Sequence, residues 1–211
     1  MAHAVTYPSG KRERILAAAY RVCESHGVEG ARMDAVAAIA QVSKGTLYRY
    51  FQSKEELLLA TILDSYEQSL GFQPTAESGG TAGDQIGALV DYLVRVFERI
   101  TPRMRVHYQV WGIVTARPEL GEKLYAFLRR FHSERDAEIR AVLLEGRRAG
   151  VLRTDTDLDA IVAGVQALLA GFFYRATFDA EHTKPERFRS SLEALLAETV
   201  LPVESGGDGS A

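Results

Sequence analysis

One stretch of the chain decides the fold: VAAIAQVSKGTLYRYF, residues 36–51. Its apolar side chains recur every three or four positions on both sides of a short interruption, Gln41-Val42-Ser43, and this spacing is typical of two short helices joined by a tight turn. Ser43 is a natural N-cap for the second helix, because its hydroxyl can accept a hydrogen bond from a backbone amide of the first turn. The stretch therefore predicts a helix-turn-helix, with its first helix over 33–40 and its second beginning at Lys44.

The outer face of the second helix is polar or amphipathic. Arg and Lys side chains pair with guanine edges in the major groove of DNA, whereas backbone amides, hydroxyls and cations bind phosphate groups. Arg49 and Lys44 are the candidate base readers, and Tyr50 can contact a thymine methyl group. The candidate phosphate contacts are Gly45, Thr46, Tyr48 and Lys54. An ordinary helical hairpin with a solvated polar face has the same charge and spacing, so these residues alone leave both interpretations open.

The charge distribution is compatible with nucleic-acid binding by the start of the chain alone. The net charge is −3, which argues against a protein coated in basic surface. Residues 1–60 nevertheless hold eight Lys and Arg against six Asp and Glu, so that a mildly basic head precedes an acidic body.

Helical periodicity also dominates the rest of the chain. The first helix is predicted from Lys11 to His26, with Gly27 as its stop, and a fourth begins at Ser53 with a Ser-x-x-Glu capping box. Residues 71–83 contain four glycines and one proline and indicate a flexible linker. Further helices are predicted over 84–100, 102–116, 118–149 and 157–178, with a last one that ends at Pro202. These segments predict an all-α chain with nine helices.

A family resemblance decides between the two interpretations of the helix-turn-helix. Residues 43–55, SKGTLYRYFQSKE, resemble the signature of the TetR family of bacterial regulators, and ILAAA at 15–19 and HGVEG at 26–30 match how that family opens. The resemblance covers about residues 11–63 and implies a homodimeric repressor that binds a near-palindromic DNA operator. The residues it assigns to DNA are Arg32, Ser43, Lys44, Gly45, Thr46, Tyr48, Arg49, Tyr50 and Lys54.

The sequence departs from the family pattern at two positions of the head. The usual glycine of the turn is Gln41, and the hydroxyl common at the start of the second helix is Arg32. Arg32 removes a side-chain cap, although its charge could replace a phosphate contact. Arg49 lies at a variable recognition position, where operator preference would be determined. Lys11 and Arg12 could add DNA contacts or form a solvated helix start.

The resemblance also implies a division into domains. A three-helix DNA-binding head is expected over 1–53, followed by a connecting helix and flexible linker over 54–83. A six-helix ligand-binding and dimerisation body is expected over 84–202, and a disordered tail over 203–211.

A stripe of small side chains predicts close helix packing in the body. Four residues spaced 4, 3 and 4 apart would let another helix approach the backbone, and two leucines of the last helix complete the predicted dimer interface: Ala160, Gly164, Ala167, Gly171, Leu192 and Leu195. The alternative is packing of the same stripe against helices of its own chain.

The body also offers a lining for a small-molecule effector. Aromatic and polarisable side chains on several of its helices could enclose a ligand: Tyr92, Met104, His107, Tyr108, Trp111, Phe127, Phe131 and Phe172. Such a lining favours an apolar or aromatic effector with one polar group. Each of these side chains is also an ordinary core residue by type, so the alternative is a filled core.

Other classes of protein find little support in the sequence. His132 and Glu134 have the spacing of a zinc deaminase motif, but the paired cysteines are missing, so neither catalysis nor a metal or cofactor is expected. Cys23 is interpreted as core packing. The first ten residues lack an apolar leader, and the most apolar stretch, 160–174, is shorter than the roughly 20 residues of a membrane span. We therefore expect a cytoplasmic protein.

Overall fold

The computed structural model of the chain describes residues 10–68 and 81–197. Most of the predicted linker and the whole predicted tail lie outside the described residues. The described part is built from nine α-helices: α1 Lys11–Gly30, α2 Met33–Ala40, α3 Lys44–Tyr50, α4 Lys54–Glu67, α5 Ala82–Ile100, α6 Met104–Thr115, α7 Pro118–Arg148, α8 Leu158–Ala176 and α9 Pro185–Ala197. Two 3₁₀ turns, Thr101–Arg103 and Ala180–His182, precede α6 and α9. The all-α prediction is confirmed.

The two helices of the predicted helix-turn-helix begin where the sequence places them. Between α2 and α3 the backbone of Gln41 is left-handed, with φ 56° and ψ 48°, and the Val42 amide donates to the Ala37 carbonyl at 3.0 Å. This is the αL termination that usually employs glycine. Gly27, the predicted stop of α1, has φ 73° and breaks the helical dihedrals, after which one more turn continues to Gly30.

Residues 10–68 and 102–131 form one compact unit. Its core joins the head helices to α6, because Val110 and Val114 are as fully buried as Ile15, Leu47 and Ile62. Cys23 is buried in the same core, as predicted, and burial raises the pKa of its thiol to about 11. The predicted boundaries assigned all of 84–202 to the body, whereas the structure groups 102–131 with the head.

Residues 81–101 and 132–197 form the second unit. In it α5, α8 and α9 pack around an aromatic centre. The Phe97 ring stacks on Phe173 and Phe188 with centroids 5.6 and 4.7 Å apart. Thr81, in the predicted linker, caps α5 reciprocally with Asp84.

The helix α8 is long and apolar enough to cross a membrane by length and composition alone, which is weak evidence for a span. Its buried side chains repeat at helical spacing along one face: Leu158, Val162, Val165, Leu169 and Phe173. One face of α8 therefore packs into the core, and its remaining surface is apolar as well.

Candidate functional site

The recognition helix α3 is fixed from both ends. At its N-terminus the Thr46 amide donates to Ser43 Oγ at 3.1 Å, and the two hydroxyl oxygens lie 2.9 Å apart. At its centre Leu47 is fully buried, and Phe51 follows the last turn into the core. An added Cβ at Gly45 would meet nothing within 4 Å, so the backbone there is open to approach. The first turn can therefore present backbone amides to an anion without rearrangement.

The outward face of α3 brings together the side chains that the sequence predicted. Lys44 and Arg49 are exposed, and the rings of Tyr48 and Tyr50 keep 40% and 42% of their surface exposed. Two cations and two phenol rings on two turns of helix can donate hydrogen bonds to phosphates and base edges. Leu47 alone of the helix is buried, which leaves the rest available to a partner.

An acidic side chain lies beside this face. Asp34 Oδ1 is 2.7 Å from Lys44 Nζ, and both side chains are mostly exposed. The hydrogen bond to the carboxylate raises the pKa of Lys44. Helical periodicity carries no signal for this pair, since Asp34 belongs to α2 and Lys44 to α3.

Lys54 has a partner within the protein. Its Nζ donates to the Glu29 carbonyl at 2.7 Å and so ties the start of α4 to the last turn of α1. Ser53 caps α4 by accepting from the Glu56 amide at 3.1 Å. Lys54, predicted as a free phosphate contact, is half-buried and holds the head together as well. Arg32 precedes α2, is exposed and gives no side-chain cap, as expected from its replacement of a hydroxyl residue.

A groove of about 410 Å³ flanks the turn of the helix-turn-helix. Two arginines seven residues apart on α1 border a floor of alanines, and the end of α2 forms the other wall; the lining residues are Arg14, Ala17, Ala18, Arg21, Ile39, Ala40 and Gln41. The i, i+7 spacing of the arginines was visible in the sequence but was not singled out.

In the unit that contains the head, an aromatic cluster adjoins His107. The His107 ring is fully buried and lies 4.8 Å from the Tyr66 ring of α4. Phe131 and Phe127 of α7 pack on Tyr66 at 5.1 and 6.1 Å. Sequence reasoning missed Tyr66, whose place in the apolar stripe of α4 was the available signal. Burial and the Arg103 guanidinium lower the pKa of His107 to about 4, so its imidazole is neutral at pH 7.

The other predicted pocket residues divide between the two units. Met104 is buried and Trp111 and Tyr108 are partly buried in the first unit, where the last two rings meet edge to face at 5.5 Å. Tyr92 and Phe172 belong to the second unit, where the Phe172 ring packs edge-on against Phe97 at 5.9 Å. The structure thus places His107, Phe127 and Phe131 around the Tyr66 ring and assigns Tyr92 and Phe172 to a different core.

The small-residue stripe of α8 is largely exposed. Ala160, Ala167 and Gly171 lie on the surface of the chain, and an added Cβ at Gly171 would meet nothing within 4 Å. Gly164 instead faces Leu195, whose side-chain carbons lie 3.4 Å from such a Cβ. The stripe is therefore open at three of its four predicted positions.

Two further observations refine the predicted interface. Leu192 is fully buried in the core of its own unit, so its side chain faces inward rather than toward a partner. Tyr174 and Phe178, which extend the stripe, keep 62% and 68% of their surface exposed. Large exposed rings beside exposed alanines form an apolar surface of the kind that marks an interaction site.

Comparison with known proteins identifies the architecture. A family model for bacterial regulatory proteins of the tetR family matches residues 15–61, and a model for the C-terminal part of BetI-type transcriptional repressors matches 84–201. An HTH-type transcriptional regulator of Mycobacterium tuberculosis is 29% identical over 199 residues, which cover 92% of this chain and 88% of that protein.

A second relative matches only in part. The HTH-type transcriptional repressor KstR of Mycolicibacterium smegmatis is 37% identical over 90 residues, so the chain spans 44% of that relative's length.

Solved structures share the whole fold. A transcriptional regulator from Saccharomonospora viridis in complex with choline has a TM-score of 0.68 at 22% identity, covering 92% of this chain and all of that one. The SmeT–triclosan complex has a TM-score of 0.65 at 20% identity, covering 92% and 93%. Identities this low show the fold alone. Together with the family models, which cover most of the sequence, they give one conclusion: the chain belongs to the TetR family of bacterial transcriptional regulators.

Proposed function

We propose that this regulator is a repressor that binds a near-palindromic DNA operator as a homodimer, and that a small-molecule effector releases it. The observation that carries the proposal is the outward face of α3, where Lys44 in the first turn, Arg49 in the last turn and two tyrosines are all exposed. The repressor assignment is supported by the description of the matched C-terminal model and by the function of KstR. A cytoplasmic location follows, because operator DNA is there.

The residues of the head have distinct proposed roles. Arg49 reads bases in the major groove, because it is the exposed cation of the last turn of α3. Lys44, the amides around Gly45 and the hydroxyls of Thr46 and Tyr48 bind phosphates. Lys54 contributes by holding α4 against α1 and by its charge near the DNA.

Dimerisation is proposed through the exposed stripe of α8. Ala160, Ala167 and Gly171 permit close approach of a second copy, and Tyr174 adds an apolar ring beside them. A two-fold interface would present two α3 helices about 34–36 Å apart, one turn of DNA. The same interface would cover the apolar face that α8 leaves exposed.

An effector is proposed from the aromatic residues of the body. The relatives of known structure include one bound to choline and one bound to triclosan, which supports a ligand in a chain of this fold. The aromatic cluster of this chain favours an apolar or aromatic molecule, and no cofactor or metal is required for the proposed function.

Selection of genomic DNA fragments on the full-length protein tests the proposal. We expect enrichment of fragments that share one near-palindromic sequence, and we expect Arg49→Ala to change which fragments are enriched. Arg95→Ala, which removes an exposed arginine from α5, is the matched control and should leave the enrichment unchanged. Recovery of fragments with no common sequence would refute operator recognition.

A further inference from the structure

His107 has an unusual environment for a buried histidine. Its side chain is fully buried, and neither Nδ1 nor Nε2 has a hydrogen-bond partner in the described part of the chain. One imidazole nitrogen of the neutral ring is a donor and the other an acceptor. Both groups are thus withdrawn from solvent without compensation by protein atoms.

The two unpaired nitrogens lower the stability of the folded protein, whereas an apolar residue at this position would not. Each buried polar group left unpaired forfeits its hydration free energy, whereas a phenylalanine at the same place would only pack. The ring lies against Tyr66, which in turn packs on Phe127 and Phe131, so this side of the site is suited to an apolar side chain. A position that breaks the packing rule without a structural gain is most simply explained by a function.

The surroundings define what the imidazole could bind. Tyr66, Phe127 and Phe131 pack on one another with ring centroids 5.1 to 6.1 Å apart, so a ligand beside the imidazole would meet aromatic rings. At the outer edge the Arg130 guanidinium lies 5.5 Å from the Phe127 ring and 4.0 Å from the Glu67 carboxylate. This exposed ion pair links the end of α4 to α7 over the rim of the cluster.

We infer that His107 is the polar anchor of the effector site. An uncharged aromatic or apolar molecule inserts beside Tyr66, and its hydroxyl or carbonyl group forms a hydrogen bond with the imidazole. The inference rests on the proposed effector-controlled function and deepens it by naming the anchor and the class of ligand. His107 supplies one donor and one acceptor, which suit a single hydroxyl group.

Charge excludes other ligand classes. A cation would meet the Arg103 guanidinium, which lies one helical turn before His107 and is held by Ser65 Oγ at 3.2 Å and the Tyr20 ring at 5.3 Å. A carboxylate would have to lose its hydration among aromatic rings. A neutral group avoids both costs.

A matched pair of probes tests the anchor on the full-length protein without DNA. 4-Phenylphenol and biphenyl share one shape and differ by a hydroxyl group. We expect the wild type to bind the phenol about tenfold more tightly, the gain typical of one hydrogen bond. His107→Phe should bind both probes alike, and His107→Gln, which keeps a donor and an acceptor, should restore part of the preference. His26→Phe, an exposed substitution in the same unit, should behave as the wild type.

A spectroscopic measurement on the unsubstituted protein guards against misfolding of the variants. Addition of 4-phenylphenol should shift the ¹⁵N resonance of one His107 ring nitrogen, and biphenyl should not. Equal affinity of the wild type for both probes, absence of binding by either, or a preference that survives in His107→Phe would overturn the inference. If the wild type meanwhile retains its genomic fragments, the anchor has failed and the repressor proposal stands. If it retains none, the repressor proposal has failed whatever the probes do.

Discussion

At the scale of single residues, Gln41 is the one non-glycine residue with positive φ in the described part of the chain. This conformation costs an L-residue about 1–2 kcal/mol. Glycine avoids that strain but loses more backbone entropy on folding, so the net gain from a glycine is smaller. We expect Gln41→Gly to stabilise the protein by up to ~1 kcal/mol and to raise Tm by about 2–4 °C in thermal unfolding.

A matched control separates backbone strain from the loss of a side chain. Gln109→Gly changes an exposed glutamine inside α6 and should destabilise by about 1 kcal/mol. If both substitutions lowered Tm by the same amount, the left-handed conformation would not strain the backbone of Gln41.

Asp34 restrains the cation that the proposal assigns to phosphate. In the free protein Lys44 Nζ lies 2.7 Å from the Asp34 carboxylate. On DNA the same carboxylate would repel the phosphate backbone. We predict that Asp34→Asn tightens binding to every duplex, by roughly threefold at low salt and less at high salt, because exposed charges are screened. Fluorescence anisotropy with two unrelated duplexes measures this.

The control for Asp34 is an ion pair of the same kind away from α3. Glu122 lies 2.8 Å from Arg129 with similar exposure, and Glu122→Gln should leave DNA affinity unchanged. Tighter binding to only one of the duplexes by Asp34→Asn would contradict a phosphate-directed role for Lys44.

His107 links stability to pH. Its folded-state pKa, lowered to about 4 by burial and Arg103, lies below the ordinary value of 6.5. The ring lies against Tyr66 of α4, on which Phe127 and Phe131 of α7 pack. Above pH 6.5 both states are neutral and the stability is complete. As the pH falls from 6.5 toward 4, the His107 imidazole becomes protonated in the unfolded chain but stays neutral in the folded chain. The free energy of unfolding therefore decreases.

The prediction is a difference between two proteins. Between pH 7 and pH 5 the wild type should lose roughly 2 kcal/mol more unfolding free energy than His107→Phe. Urea denaturation at the two pH values measures it, with His26→Phe as a control that should follow the wild type. Parallel losses in wild type and His107→Phe would mean that the imidazole is not neutral and buried.

For the helices, apolar spacing and capping residues were enough to predict the bounds that depend on neighbouring residues. The bounds of α2 and the start of α3 at Lys44 follow from apolar spacing and the Ser43 cap, and the structure agrees. The start of α5 was predicted two residues late, because Thr81 and Asp84 form a Thr-x-x-Asp capping box inside a glycine-rich segment that indicates a linker.

Contacts between distant residues could not be predicted in the same way. Lys54 reaches the Glu29 carbonyl across 25 positions, and periodicity carries no information on such pairs. The apolar pattern of α9 likewise cannot say whether Leu192 faces its own chain or a partner, and the structure places it inside its own core. His107 was visible as a candidate, but its unpaired nitrogens were not.

The exposed stripe of α8 makes a prediction about assembly. Because Gly171 has open space around it, Gly171→Arg should leave the protomer folded yet bury a charge in the proposed interface. In sedimentation equilibrium we expect the wild type at twice the chain mass of 23.3 kDa and the variant at the single-chain mass. Gly87→Arg, on an equally open glycine of α5, is the control and should remain dimeric. A wild-type monomer, or a dimeric Gly171→Arg, would remove α8 from the interface.

At the scale of the whole molecule, one helix connects the two proposed activities. The helix α4 carries Tyr66 against His107 near its end and Lys54 against the head at its start. These positions are twelve residues, about 18 Å, apart along the helix axis. Glu55 of the same helix also pairs with Arg117 at 2.7 Å. An effector that displaces Tyr66 would therefore act on the helix that Lys54 ties to α1 of the head.

Operator binding by the outward face of α3 can be tested with a single titration. The most direct measurement is the affinity of the full-length protein for a duplex selected from the genome, titrated with salt between 50 and 200 mM. A dimer that neutralises six or more phosphates should lose about a thousandfold in affinity over this range. At each salt concentration Arg49→Ala should bind the selected duplex no better than an unrelated one. An affinity that does not change with salt, or an Arg49→Ala variant that still prefers the selected duplex, would contradict the account.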